Sequence, residues 1–175
     1  FNVEEMAQVE QGVSSIASQL GGIDILINNA GVGDFGSFED MPVETWEKVM
    51  KVNLFGVYYV AKAALPYIKQ NKEGDIVNVA STAGLKGGPN MSAYCASKAA
   101  VISLSQSLMA ELRKFNIRVI TLTPSTIATD MSIEGKLTDG NPEKVLQPED
   151  FAEWVRDILK MNRRAMIASA SIFST

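Results

Sequence analysis

Residues 74–124, GDIVNVASTAGLKGGPNMSAYCASKAAVISLSQSLMAELRKFNIRVITLTP, decide the fold. They begin on a short apolar run, GDIVNVAS (74–81), of the kind that forms a strand buried on both faces. They close on a second such run, IRVITLTP (117–124). Between the two, residues 92–115 place Ala96, Ala100, Leu104, Leu108 and Leu112 at four-residue intervals, the spacing of one helical stripe. Two buried strands joined by a long helix make a parallel strand–helix–strand unit.

The same alternation extends in both directions. Residues 4–20 read as an amphipathic helix carrying Met6, Val9, Val13, Ile16 and Leu20, and IDILINNA (23–30) as another buried strand. Pro42 and Glu44 suit the first turn of a helix through Trp46, and a longer helix follows over 54–69. On the C-terminal side, QPEDFAEWVRDILKM (147–161) forms a helix with Pro148 in its first turn, and RAMIASASI (164–172) supplies a last strand. The expected architecture is a doubly wound parallel α/β sheet, Rossmann-like, in a single domain over 1–175. Residues 126–147 lack periodicity, and loops of that length in compact domains are commonly functional. They are the expected substrate loop.

Composition narrows the chemistry. The chain has no histidine, which removes the commonest general base, the Ser-His-Asp triad and histidine metal sites. Its one cysteine excludes an internal disulfide and any Cys-x-x-Cys metal site. No metal site is expected. A net charge of −4 without a basic run argues against nucleic acid as a partner. No apolar run approaches the roughly 18–20 residues that span a membrane, so the expectation is a cytoplasmic protein.

GVGDFG (31–36) matches the dinucleotide fingerprint G-x-G-x-x-G. That fingerprint works by leading directly into a helix whose N-terminus receives pyrophosphate, whereas DFGSFEDMP follows here. It reads as an ordinary loop after a strand. No other phosphate-binding loop is visible, and further N-terminal residues are expected to precede Phe1 in the intact protein.

Two Tyr-x-x-x-Lys pairs occur, Tyr58/Lys62 and Tyr94/Lys98. Either would place both side chains on one helix face. Only the second belongs to an ordered set: NNAG (28–31), Asn53 in KVNLFGV, Ser81 in IVNVASTAG, YCASK (94–98) and LTPSTIATDM (122–131). By these motifs, in this order and spacing, the chain resembles the short-chain dehydrogenase/reductases, most nearly the 3-oxoacyl-(acyl-carrier-protein) reductase-like members.

The resemblance implies an NAD(P)-dependent oxidoreductase acting on a carbonyl or alcohol, with 3-oxoacyl thioesters among the candidate substrates. It assigns catalytic roles to four residues. Ser81 orients the substrate carbonyl, Tyr94 donates or accepts the proton, Lys98 lowers the Tyr94 pKa and binds the nicotinamide ribose, and Asn53 holds a water linking Lys98 to solvent. Bringing a phenol from near pH 10 to neutrality takes roughly 4 kcal/mol. An ammonium about 4 Å away at an effective dielectric of about 20 supplies that amount. The resemblance also implies that Asn2 and Val3 meet the adenine. Asn29, Ala30 and Gly31 line its ribose, Tyr94 and Lys98 contact the cofactor, and Ile127 and Thr129 lie near the nicotinamide. It favours NADP over NAD, and a homodimer or homotetramer built on the helices over 54–69 and 92–115. The alternative is a non-catalytic member that binds a nucleotide or a partner, or an inactive fragment. Ser125 stands where the family has glycine.

Overall fold

The computed structural model describes residues 1–175. Four strands, β1 (Ile25–Asn28), β2 (Gly74–Val79), β3 (Ile117–Pro124) and β4 (Ser169–Ile172), form one sheet in that order. All three pairings are parallel. The helices are α1 (Met6–Leu20), α2 (Val43–Met50), α3 (Gly56–Gln70), α4 (Ser92–Leu112), α5 (Asp130–Glu134) and α6 (Pro148–Lys160). The doubly wound α/β sheet read from the alternating pattern is present. None of the helices is long and apolar enough to cross a membrane.

The central strands explain their own sequences. Ile76 and Val119 point to the face covered by α1, α3 and α4, where they join Val9, Val13, Val60, Ile68 and Leu112. Their chain neighbours Val77 and Ile120 point the other way, onto Val155 and Ile158 of α6. Successive residues of a strand face opposite sides, so covering both faces demands an unbroken apolar run. Every residue of β2 and β3 is buried. β1 is an edge strand, with Ile25 and Ile27 about half exposed.

Three expectations need correction, the first being that residues 23–30 form a buried strand: as an edge strand β1 leaves Ile25 and Ile27 uncovered. In α4 the buried stripe is Ser97, Val101, Ser105 and Leu112, whereas Ala96 is exposed and Ala100 and Leu104 are half-buried. Small hydroxyls are tolerated inside because each returns its proton to the helix backbone: Ser97 Oγ donates to the Tyr94 carbonyl and Ser105 Oγ to that of Val101. In α1, Ile16 and Leu20 are exposed, and Ala17 completes the core face with Val9 and Val13.

The helices on either side of position 53 are joined without a break, because residues Lys51–Phe55 form a π-turn between α2 and α3. Nothing in the periodicity foretold it. Such turns insert one residue and redirect a side chain, often at functional sites.

At the N-terminal end of the sheet the Arg118 guanidinium forks onto both oxygens of Asp75 at 2.5 and 2.9 Å. It also donates to the carbonyls of Leu159 and Met161 at the end of α6. This buried, fully partnered pair ties α6 to the sheet and leaves the opposite end open.

Candidate functional site

The C-terminal ends of β1, β2 and β3 open onto a cleft of about 660 Å³. Open parallel sheets place ligands there. Ser81, Tyr94 and Lys98 all line it, together with Asn29, Gly31, Ile127 and Thr129. Each arrives by a different route.

Ser81 follows β2 in extended conformation, and its Oγ accepts the Ala83 amide at 3.1 Å, capping the short 3-10 turn Thr82–Gly84. That turn lies against α4 because Gly84 has no side chain. A Cβ there would stand 2.7–2.9 Å from the backbone of Lys98 and Ala99. With Oγ accepting from Ala83, the Ser81 hydroxyl still has its own proton to donate.

Tyr94 sits in the first turn of α4, half-buried, with the Phe35 ring edge-on at a centroid separation of 5.8 Å. Burial pushes the Tyr94 phenol above its ordinary pKa; nearby Ser81 partly opposes the rise and Cys95 adds to it. Lys98, 5% exposed, donates from Nζ to the Val79 carbonyl at 2.9 Å. Burial lowers its pKa to about 8. The expectation that Lys98 depresses Tyr94 is therefore not met in this structure. The ammonium is turned toward the end of β2, 5.7 Å from the phenol ring centre, and desolvation of the phenolate sets the direction of the shift.

Asn53 is 1% exposed and lies behind the cleft, in the π-turn. Its Oδ1 accepts the Val32 amide at 2.8 Å, while Nδ2 donates to the Val32 carbonyl at 2.9 Å and to Ser97 Oγ at 3.1 Å. Both amide hydrogens are thus engaged, so the side chain acts here as a bracket between the β1 exit and α4. Gly31 packs into the same corner: a Cβ would lie 3.3 Å from Asn53 Oδ1 and 3.5 Å from Lys98 Nζ. Cys95 is buried and lines the cleft beside Tyr94.

All but one of the residues expected to contact a cofactor fall into two groups. Asn29, Gly31, Tyr94, Lys98, Ile127 and Thr129 share the cleft. Val3 and Ala30, with Asn29 again, line a separate apolar cavity of about 500 Å³ beside β1. Asn2 lines neither; its side chain accepts the Glu4 amide and its own amide donates to Gln8. The donor set around Lys98 fits the nicotinamide end of a dinucleotide. The remaining ammonium hydrogens suit ribose hydroxyls, and no Cβ at Gly31 crowds them.

Sequence reasoning missed a polar spine beneath the cleft. Asn28 Nδ2 donates to Asn78 Oδ1 at 2.8 Å, and Asn78 Nδ2 to Ser105 Oγ at 2.9 Å, linking β1, β2 and α4. The available signal was an asparagine within each of two otherwise apolar strands. It also missed Phe35, whose place no spacing rule indicates.

Comparisons with known proteins show which family the chain resembles. The family model described as short chain dehydrogenase matches residues 1–139. An inactive 2-(S)-hydroxypropyl-CoM dehydrogenase 2 from Xanthobacter autotrophicus is 36% identical over 99% of this chain and 80% of its own length. A 3-oxoacyl-(acyl-carrier-protein) reductase from Thermotoga maritima is 38% identical over 82% of this chain and 56% of its own. Among solved structures, the closed form of serine dehydrogenase complexed with NADP+ superposes with a TM-score of 0.90 at 29% identity. It covers 98% of this chain, which spans 73% of that one.

Proposed function

This chain belongs to the short-chain dehydrogenase family, and on that premise we propose that it transfers a hydride between a nicotinamide cofactor and a carbonyl or alcohol substrate. The observation that carries the reading is the convergence of Ser81, Tyr94 and Lys98 on one cleft at the C-terminal ends of parallel strands. Ser81 Oγ donates a hydrogen bond to the carbonyl oxygen and fixes its position. Tyr94 delivers its phenolic proton to that oxygen as the carbonyl is reduced, and takes it back when the alcohol is oxidised. With its pKa raised by burial, Tyr94 is protonated at neutral pH, the form a reduction needs. Lys98, anchored on the Val79 carbonyl, binds the ribose of the cofactor with its remaining ammonium hydrogens. Asn53 keeps Lys98 and the β1 exit in register.

The bound dinucleotide supplies the hydride, held by Lys98 and Asn29, the backbone of Ile127, and Thr129. Binding of NADP+ by the related serine dehydrogenase supports a nicotinamide cofactor, and family resemblance favours NADP over NAD. Residues 126–147 form one wall of the cleft through Thr126, Met131 and Leu137, consistent with a substrate loop. A 3-oxoacyl thioester is the finer substrate proposal, drawn from the Thermotoga relative. Assembly as a homodimer or homotetramer accords with Phe55 and Tyr58, exposed at and near the start of α3. A cytoplasmic location completes the proposal.

A second reading follows from the Xanthobacter relative, which is named inactive: this chain binds nucleotide without turnover. One assay separates the two. NADPH, then NADH, is added to the protein with small ketones and 3-oxo esters, and loss of nicotinamide absorbance is followed beside Trp46 and Trp154 fluorescence. Saturable fluorescence change with turnover that Ser81→Ala lowers about a hundredfold supports the enzyme. Fluorescence change without turnover supports the second reading.

A further inference from the structure

One aromatic ring joins three separate segments around the cleft. Phe35 belongs to the loop between β1 and α2, is half-buried, and presents its edge to Tyr94. It also lies against two glycines from different parts of the chain. A Cβ on Gly33 would come 2.7 Å from the ring tip, and a Cβ on Gly135, at the exit of α5, would come 2.6 Å from the ring side. Neither glycine adopts a left-handed backbone, so conformational freedom does not explain them. What each supplies is room for the ring. The Met131 sulfur lies 3.2 Å from the same Gly33 position, closing the slot.

The ring is also a fastener. The β1–α2 loop is pinned to the loop before α4 by the Gly36 amide, which donates to the Asn90 carbonyl at 2.9 Å. No such hydrogen bond ties it to residues 126–147, whose bonds run within the segment, to Ser174 and to the first turn of α6. Contact between that segment and the loop beside Tyr94 is apolar, made by Phe35 against Gly135 and by Met131 against Gly33. Met91, Met131 and Leu137 continue the apolar lining.

Resting on Tyr94 as the proton donor, we infer that Phe35 sets the size of the apolar substituent accepted next to the reacting carbonyl. Its ring, seated between Gly33 and Gly135, fills the space that a bulkier substituent would need, and it holds residues 126–147 against the cleft. Phe35 is thus a specificity-determining residue, and the two glycines are its socket.

A matched pair of substrates tests this. Ethyl 3-oxobutanoate and ethyl 3-oxo-3-phenylpropanoate differ only in the group beside the ketone. Phe35→Ala is expected to shift the ratio of their kcat/KM values at least about tenfold toward the phenyl ester, with Phe35→Leu between it and wild type. Trypsin gives a readout that needs no turnover: Phe35→Ala should cleave about tenfold faster at Lys136 while cleavage at Lys72 keeps its rate. If both esters lose rate in parallel and their ratio stays within about twofold, the inference is overturned. If wild type reduces neither ester, the proposed function fails on those substrates and trypsin decides the socket alone. An unchanged rate at Lys136 then overturns it.

Discussion

Two turns of helix carry the same four-residue tyrosine-to-lysine spacing and have little else in common. On α3, Tyr58 is 42% exposed and Lys62 Nζ donates directly to its hydroxyl at 3.2 Å. On α4, Tyr94 and Lys98 share a buried corner, and Lys98 turns away to the Val79 carbonyl. The pair in direct contact is therefore the one outside the cleft. Tyrosine–lysine proximity does not mark the site. Position does: α4 starts at the C-terminal end of the parallel strands, where Ser81 ends β2, whereas the α3 turn faces solvent. Burial then separates the chemistry, pushing Tyr94 up and Lys98 down to about 8.

The sharpest break between the two turns is at the phenols. Tyr94→Phe removes the proposed proton donor and is expected to cut kcat about a thousandfold, within the range general acids contribute, while cofactor binding and folding persist. Tyr58→Phe should leave kcat within about twofold, since its lost bond is solvent-exposed. Parallel rate measurements on the two variants check both. Turnover retained by Tyr94→Phe would sink the mechanism.

What was legible in the sequence follows the same division. The sheet could be read because β2 and β3 are buried on both faces and so advertise themselves as apolar runs. Ser81, Tyr94 and Lys98 could be found because an ordered set of motifs singled them out from the second pair. The buried face of α4 could not, since Ser97 and Ser105 are polar residues satisfied by carbonyls of their own helix. The direction of the Tyr94 shift was also beyond reach. It depends on where an ammonium points, and a spacing of four residues fixes only the shared face. Phe35 escaped because its partners Gly33 and Gly135 meet only in the folded chain.

A second difference lies at the lysines. A buried ammonium with its pKa lowered from 10.5 to about 8 costs the fold about 3 kcal/mol at pH 7. Lys98→Met removes that cost and forfeits one hydrogen bond to Val79, worth about 1 kcal/mol. The variant is expected to be inactive yet more stable by about 2 kcal/mol, roughly 5 °C in Tm. The sign in pH follows. Between about 8 and 10.5 the unfolded chain holds a proton the folded chain has released, so wild-type stability rises there relative to the variant and the gain fades. Wild-type activity should fall as pH passes about 8. Lys62→Met, exposed, should change neither quantity. Melts at pH 7 and 9.5 on the two variants measure the contrast.

The smallest expected effect concerns the residue just before each lysine. In the cleft turn it is Ser97, fully buried, whose hydroxyl donates to the Tyr94 carbonyl at 2.8 Å and accepts Asn53 Nδ2 at 3.1 Å. In the exposed turn it is Ala61. Ser97→Ala therefore gives the cleft turn the composition of its twin at that position. It leaves one Asn53 hydrogen unpaired in the interior, which costs about 1–2 kcal/mol, and it frees the bracket between the β1 exit and α4. Urea titration should show that loss, and kcat should fall several-fold with Tyr94 intact, because a misplaced donor is penalised even when its chemistry is unchanged. Unchanged stability and rate would mean that Asn53 holds the corner through Val32 alone, and that the hydroxyl at 97 does not distinguish the two turns.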